Sequence, residues 1–121
     1  MPFEISTQRE FAAAHALRLY DGSLESLHGH NWRVRVSVGA AQLDAIGVVM
    51  DFHELERLVD AIIGDYHNRH LNEVAAFAST NPSAENVAFV IATTLKLSKG
   101  LSLERVDVFE TATNKATYYP R

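Results

Sequence analysis

The stretch from His28 to Val38 alternates with period two. His28, His30, Trp32, Val34, Val36 and Val38 fall on one face, and Asn31, Arg33, Arg35 and Ser37 on the other. That is the pattern of a half-buried strand. A strand with one apolar face needs partner strands and a covering layer, so it restricts the chain to sheet architectures. Phe11, Ala13, His15 and Leu17 repeat the period inside Phe3 to Leu19, although Ala12-Ala13-Ala14 is equally compatible with a helix. Asp21-Gly22-Ser23 is a turn signal between the two segments, which are expected to pair antiparallel.

The rest of the chain supplies the covering layer. Residues 39 to 47 read as a loop and Val48-Val49-Met50 as a short strand. Asp51 as N-cap with Glu54 at N3 has the form of a capping box. Leu55, Leu58, Val59, Ile62, Ile63 and Tyr66 then follow at helical spacing, which predicts an amphipathic helix over 52 to 66. A long polar connection, 67 to 82, contains His67, Asn68 and His70. Pro82 suits the first position of a second helix that Gly100 ends. Val106, Val108 and Glu110 share one face of a further strand, with Arg105, Asp107 and Phe109 opposite. Asn114-Lys115 turns it into a last strand, 116 to 119. The predicted order is β-β-α-α-β-β: two helices on one face of a four-stranded antiparallel sheet, an α+β fold. The 121 residues are expected to form one domain, 1–121.

Composition narrows the function. The net charge is −4, which argues against a nucleic-acid or anionic-membrane partner. No apolar run approaches the roughly 18 residues of a membrane span, and Met1-Pro2-Phe3-Glu4 does not begin a signal peptide. The expected location is cytoplasmic. The chain has no cysteine but six histidines, so thiolate chemistry is excluded.

His28-Gly29-His30 puts two imidazoles on one strand face, a few ångströms apart. Gly29 is read as a close approach of backbone. His15, on the matching face of the preceding segment, is the natural third ligand. Three imidazoles with one position left open is a donor set of catalytic zinc, though it also suits other divalent ions. An isolated His-x-His pair is weak, and a lone His15 would read as a hydrogen-bonded core histidine. Convergence of all three on inward faces favours Zn²⁺. His53 reads as solvated surface. His67 and His70 divide between an exposed loop and a general acid/base role.

Ala13-Ala14-His15, Leu27-His28-Gly29-His30-Asn31, Val49-Met50-Asp51-Phe52, Leu71-Asn72, Asn81-Pro82-Ser83-Ala84-Glu85-Asn86-Val87 and Glu110-Thr111 occur in that order. In this the sequence resembles the 6-pyruvoyltetrahydropterin synthase / 6-carboxytetrahydropterin synthase family over essentially its whole length. The resemblance implies a T-fold and an oligomeric barrel, a homo-oligomer built from trimers and usually a hexamer, with active sites between subunits. It implies His15, His28 and His30 as zinc ligands. It also implies substrate binding through Glu110-Thr111, with Glu110 as the pterin anchor. A pterin offers adjacent N–H donors that a carboxylate accepts bidentately. The implied substrate is 7,8-dihydroneopterin triphosphate.

Two departures shape the expectation. Gly22-Ser23-Leu24-Glu25-Ser26-Leu27 lacks the cysteine of thiolate-dependent members, and Glu25 matches the cysteine-lacking class with Glu-x-x-His-Gly-His. That class resembles enzymes yielding 6-hydroxymethyl-7,8-dihydropterin. The family's Asp-His-x-x-Leu-Asn is here His67-Asn68-Arg69-His70-Leu71-Asn72. Either His67 or His70 takes the place of the family histidine, or the relay is gone; Asp65 is the candidate displaced acid. The resulting expectation is a zinc-dependent lyase cleaving the side chain of dihydroneopterin triphosphate, with Glu25 moving a proton. Arg18, Arg33 and Lys115 are candidate triphosphate partners. The alternatives are a 6-carboxytetrahydropterin synthase-like enzyme of the queuosine pathway, a 6-pyruvoyltetrahydropterin synthase-like activity, or an inactive pterin-binding paralogue.

Overall fold

A computed structural model describes residues 1–120. The two alternating segments form long strands, β1 (Phe3–His15) and β2 (His28–Ala40), paired antiparallel along their whole length. Directly opposed residues share a face. The register sets Phe11 against Trp32, Ala13 against His30 and His15 against His28. The apolar residues of that face are buried, and the Phe11 and Trp32 rings stack with centroids 5.8 Å apart. β1 stops at His15 rather than Leu19, while β2 runs two residues past Val38, because Gly39 and Ala40 keep the alternation with small side chains. A Cβ on Gly39 would come within 3.0 Å of Met1 and Glu104.

Two helices cover the same face. α1 (Phe52–Ile63) buries Leu55, Val59, Ile62 and Ile63 against it. Arg9 clasps Asp60 with bonds of 2.8 and 2.9 Å and ties α1 to β1. Asp51 caps α1 by accepting from the His53 amide at 2.8 Å. Glu54 does not complete the capping box; it pairs with Arg57 at 2.6 Å. The helix ends at Ile63 rather than Tyr66. Gly64 opens a series of turns in which the Tyr66 and His67 amides both donate to the Ile63 carbonyl, and Tyr66 is buried without being helical.

The sheet has five strands rather than four, in the order β3-β1-β2-β4-β5. The added strand, β3 (Arg69–His70), runs parallel to β1 beside Ala13 and Ala14. Asn68, at φ 59°, reverses the chain and donates its amide to the Ala12 carbonyl, which sets β3 in place. Two residues carry no periodicity, so this strand leaves no trace in the sequence. Val48-Val49-Met50 forms no strand. One Asp44 carboxylate oxygen accepts from the Ile46 and Val48 amides, and the chain turns there.

α2 (Ala84–Thr94) starts after Ser83, whose hydroxyl accepts from the Asn86 amide at 3.1 Å. Pro82 thus precedes the cap instead of occupying the first turn. The helix closes at Thr94, well before Gly100. The Thr93 and Thr94 hydroxyls bond back to the carbonyls of Phe89 and Val90, and Leu95 is extended. Gly100, at φ 91°, belongs instead to the turn that enters β4 (Leu101–Phe109). In β4 the register against β2 shifts between Ser37 and Val38. The shift brings Leu101 and Leu103 to the same face as Val106 and Val108. β5 (Lys115–Tyr118) closes the order at the far edge.

The face away from the helices is polar but not uniformly exposed. Asp107 lies buried there among Arg35 (3.0 Å), Lys115 (3.7 Å) and the hydroxyl of Thr117, which donates to it. Burial alone would raise this carboxyl. The Thr117 and Arg35 hydrogen bonds and the Arg35 and Lys115 charges outweigh it, and the pKa lies below the ordinary value. Among the described residues no helix is long and apolar enough to cross a membrane.

Candidate metal centre

His15 ends β1 and His28 begins β2, so the pairing register places them side by side where the two strands meet the loop 16–27. His30 follows on the same face, opposite Ala13. Trp32 forms the floor. Its ring stands edge-on to His15 and His30 at 4.8 and 5.6 Å, and its indole N–H donates to the Ala13 carbonyl at 3.1 Å. One ring nitrogen of each histidine falls within a group whose members all lie within 4.8 Å of one another.

The hydrogen bonds fix what these rings present. His15 Nδ1 lies 2.7 Å from the Pro82 carbonyl oxygen, and His28 Nδ1 lies 2.8 Å from that of Ser26. A carbonyl oxygen only accepts, so both Nδ1 atoms carry the proton. In the neutral rings both Nε2 atoms then carry lone pairs, and these two atoms are 3.1 Å apart. Two lone pairs at that separation repel unless a positive charge lies between them. His30 Nε2 is buried with no hydrogen-bond partner. Burial holds the His30 pKa below the ordinary imidazole value, against the pull of Glu110, so the neutral form that can ligate is favoured. The donor set and the orphaned nitrogen fit a divalent cation such as Zn²⁺. Backbone carbonyls on Nδ1 are the outer partners that metal-binding imidazoles ordinarily have.

Two carboxylates flank the rings. Glu110 follows β4, its amide donating to the Asn114 carbonyl at 3.1 Å. Its oxygens lie 3.6 Å from His30 Nε2 and 3.8 Å from His15 Nε2. Beside it is a small recess of 170 Å³ lined by Ala84, Glu85, Asn114, Lys115 and Ala116. Thr111 is occupied in the turn below, its hydroxyl accepting from the Thr113 and Asn114 amides. Glu25, on the 16–27 loop, accepts from the Leu17 amide at 3.0 Å and lies 4.0 Å from His28 Nε2.

The other expected residues are placed elsewhere in the chain. His67 accepts the Ala12 amide on Nδ1 at 3.1 Å, at the outer edge of β1. His70 pairs with Ala14 in register and therefore points to the opposite sheet face from the imidazole cluster. There it lines an open cleft of 590 Å³ with Ala12, Asn31 and Asn68, a cleft that His30 also borders, and its Nδ1 is buried without a partner among the described residues. Asp65 is exposed in the turns after α1. Among the described residues no hydrogen bond or ion pair joins Asp65, His67 or His70 to the three histidines. Arg33 and Lys115 both approach the Phe109 ring, at 4.7 and 6.0 Å, whereas Arg18 lies by Tyr20 and Asn81. Gly29 is not a forced close approach, because a Cβ there would meet only the Ala13 carbonyl oxygen at 3.7 Å. The Pro82 carbonyl is a component that side-chain chemistry could not have indicated.

Comparison with known proteins agrees with this architecture. The family model described as 6-pyruvoyl tetrahydropterin synthase matches residues 4–121. A 6-carboxy-5,6,7,8-tetrahydropterin synthase of Synechocystis sp. is 33% identical over 114 residues, covering 90% of this chain and 87% of the relative. A dihydroneopterin monophosphate aldolase of Pyrococcus furiosus is 31% identical over 112 residues, covering 91% of each. The crystal structure of a 6-pyruvoyl tetrahydropterin synthase from Plasmodium vivax superposes with a TM-score of 0.81 at 19% identity, over 98% of this chain and 97% of that one. At that identity the superposition speaks for the fold, which is the T-fold. The match to the family model runs from the beginning of β1 through both helices to the last strand, and on that ground the chain belongs to the 6-pyruvoyl tetrahydropterin synthase family.

Proposed function

We propose that the chain is a zinc-dependent lyase that cleaves the side chain of 7,8-dihydroneopterin triphosphate and releases 6-hydroxymethyl-7,8-dihydropterin. The observation that carries the proposal is the 3.1 Å approach of two imidazole Nε2 atoms whose Nδ1 protons are already committed to carbonyl oxygens. His15, His28 and His30 would hold the cation. Bound there, Zn²⁺ supplies Lewis acidity to the vicinal hydroxyls of the substrate's C6 side chain.

The residues of the chain divide the remaining tasks. Glu110 accepts the adjacent N–H donors of the pterin ring, two parallel hydrogen bonds to one carboxylate. The N–H edge that Glu110 holds is the end of the bicyclic ring opposite C6, so this contact fixes the direction of the ring and of its C6 side chain. Glu25 stands on the other side, against His28. It takes the proton of the C2′ hydroxyl as the C1′–C2′ bond breaks. C1′ then gains a proton and stays on the pterin as the hydroxymethyl group, and the two-carbon aldehyde departs with the phosphates. The name of the Pyrococcus furiosus relative, an aldolase of dihydroneopterin monophosphate, supports carbon–carbon cleavage. The lack of cysteine supports it too.

His67, His70 and Asp65 are assigned to the site of a neighbouring copy, in a trimer-built hexamer with sites between subunits. The free edges of the sheet are consistent with such assembly. β1 from Phe3 to Phe11 has a strand partner on one side only, and an open edge of that length is a pairing surface.

A 6-carboxytetrahydropterin synthase-like activity is the second reading, favoured by the Synechocystis relative. Incubation of zinc-loaded protein with dihydroneopterin triphosphate, and in parallel with the monophosphate, separates the two by mass spectrometry. The proposal expects 6-hydroxymethyl-7,8-dihydropterin from at least the triphosphate. A 6-carboxy product, or substrate returned intact, rejects it.

A further inference from the structure

β1 does not end cleanly at His15. The next three residues keep a strand's alternation of hydrogen-bonding sides, and in each of them the N–H and C=O are both met by one partner residue. The Ala16 amide donates to Asn72 Oδ1 at 2.9 Å, and Asn72 Nδ2 donates to the Ala16 carbonyl at 2.7 Å. The Arg18 amide donates to Asn81 Oδ1 at 2.8 Å, and Asn81 Nδ2 donates to the Arg18 carbonyl at 3.1 Å. Leu17, between them, faces the other way. Its amide donates to Glu25 Oε1 and its carbonyl accepts the Glu25 amide, both at 3.0 Å. Successive residues of a strand offer their N–H and C=O to opposite sides. The side that Ala14 gives to β3 is therefore the side that Ala16 gives to Asn72 and Arg18 to Asn81. A carboxamide has one donor and one acceptor on adjacent atoms, the pair that one residue of a neighbouring strand would offer. The two asparagines thus take the place of a partner strand.

The consequence falls on Glu25. Its carboxylate reaches the imidazole cluster from a loop, and among the described residues its hydrogen-bond donor is the Leu17 amide. That amide is held on one side by the loop itself, where Arg18 bridges Leu24 and the Leu19 amide donates to the Ser23 carbonyl at 2.6 Å, and on the other by the asparagine splint across its two neighbours. We propose that Asn72 and Asn81 are positioning residues that hold the Glu25 carboxylate beside the histidine cluster by keeping residues 16–18 extended. Asn81 is tied in turn to the metal centre itself, because its carbonyl accepts from Asn86 at 2.8 Å and the next residue, Pro82, accepts from His15. The inference rests on reading Glu25 as the group that moves the proton.

The test uses zinc-loaded, full-length protein with Asn72→Ala, Asn81→Ala, Glu25→Gln and the double variant Asn72→Ala/Glu25→Gln. Glu25→Gln keeps an oxygen for the Leu17 amide. Misplacing a reacting group by about 1 Å costs on the order of 100-fold, so each asparagine variant is expected to lose about tenfold or more in kcat. KM and zinc stoichiometry should stay within about twofold, and the Leu17 amide should exchange with deuterium about tenfold faster while Phe11 is unchanged. In the Glu25→Gln background the asparagine change should lower kcat no further, since its effect passes through the missing carboxylate.

A protected Leu17 amide in Asn72→Ala, undiminished kcat, or an equal loss in both backgrounds overturns the proposal. So does failure of both asparagine variants to fold, which would make their role structural. Full turnover by Glu25→Gln defeats the assignment of Glu25 instead, and the exchange rate at Leu17 still decides whether the splint exists.

Discussion

Replacing His28 by alanine separates metal binding from folding. The side chain is 40% exposed, and its hydrogen bond within the loop is the one to the Ser26 carbonyl. Loss of one such bond costs about 0.5–1.5 kcal/mol, so the variant should fold. His15→Ala would not separate the two effects, because that ring is buried against Trp32 and satisfies Pro82. For the metal the arithmetic is different. A structural zinc site with four protein donors contributes roughly 10–16 kcal/mol, or about 3 kcal/mol per donor. Removing one donor then weakens binding by about 100-fold or more.

The assay is built into the chain. Trp32 is its single tryptophan and stands edge-on to His15 and His30. Titration with Co²⁺ or Cu²⁺ should quench its fluorescence with a stoichiometry of one per chain, and zinc should compete. The His28→Ala curve should shift to concentrations about 100-fold higher. Unshifted curves with full stoichiometry would refute the assignment of His28 as a ligand, and with it the reasoning from the 3.1 Å contact.

Other consequences are open to measurement. Glu110→Gln removes a charged acceptor whose hydrogen bonds are worth roughly 1.5–3 kcal/mol, so pterin affinity by calorimetry should fall about tenfold to 100-fold with zinc retained. Loss of zinc in that variant would make Glu110 a metal ligand instead. Asp107 has a folded-state pKa below its ordinary value of 3.8. Its contribution to stability is therefore complete above about pH 4 and is lost as pH falls through the folded value. Asp107→Asn should destabilise the protein by about 1–3 kcal/mol in urea melts at pH 7 and flatten the acid limb of stability. An acid limb unchanged by the substitution would show that Asp107 does not supply it.

Much of the architecture is visible in the residues themselves. The period-two runs ending at His15 and starting at His28 announce both long strands, and because opposed residues share a face they also announce the histidine cluster. Leu55, Val59, Ile62 and Ile63 announce α1. Boundaries are less legible, because the competing hydrogen bonds are local and side-chain dependent. The hydroxyls of Thr93 and Thr94 bond back at the end of α2, and Asp44 folds a segment that reads as a strand into turns. β3 was invisible because only backbone pairing defines it. The roles of Asn72 and Asn81 were hidden for a similar reason. An asparagine that completes a strand edge carries no pattern until the strand it completes is known. The positions of His67 and His70 depend on Asn68, whose left-handed backbone turns the chain against β1 and sends His70 to the far face.

Three imidazoles sharing one cation are the centre of the proposed chemistry. Crystals grown with zinc and measured on both sides of the zinc absorption edge test this directly. The prediction is one anomalous peak per chain, about 2.0–2.1 Å from a ring nitrogen of each of His15, His28 and His30. A cluster that stays free of anomalous density at saturating zinc, or a peak held by other side chains, would contradict it.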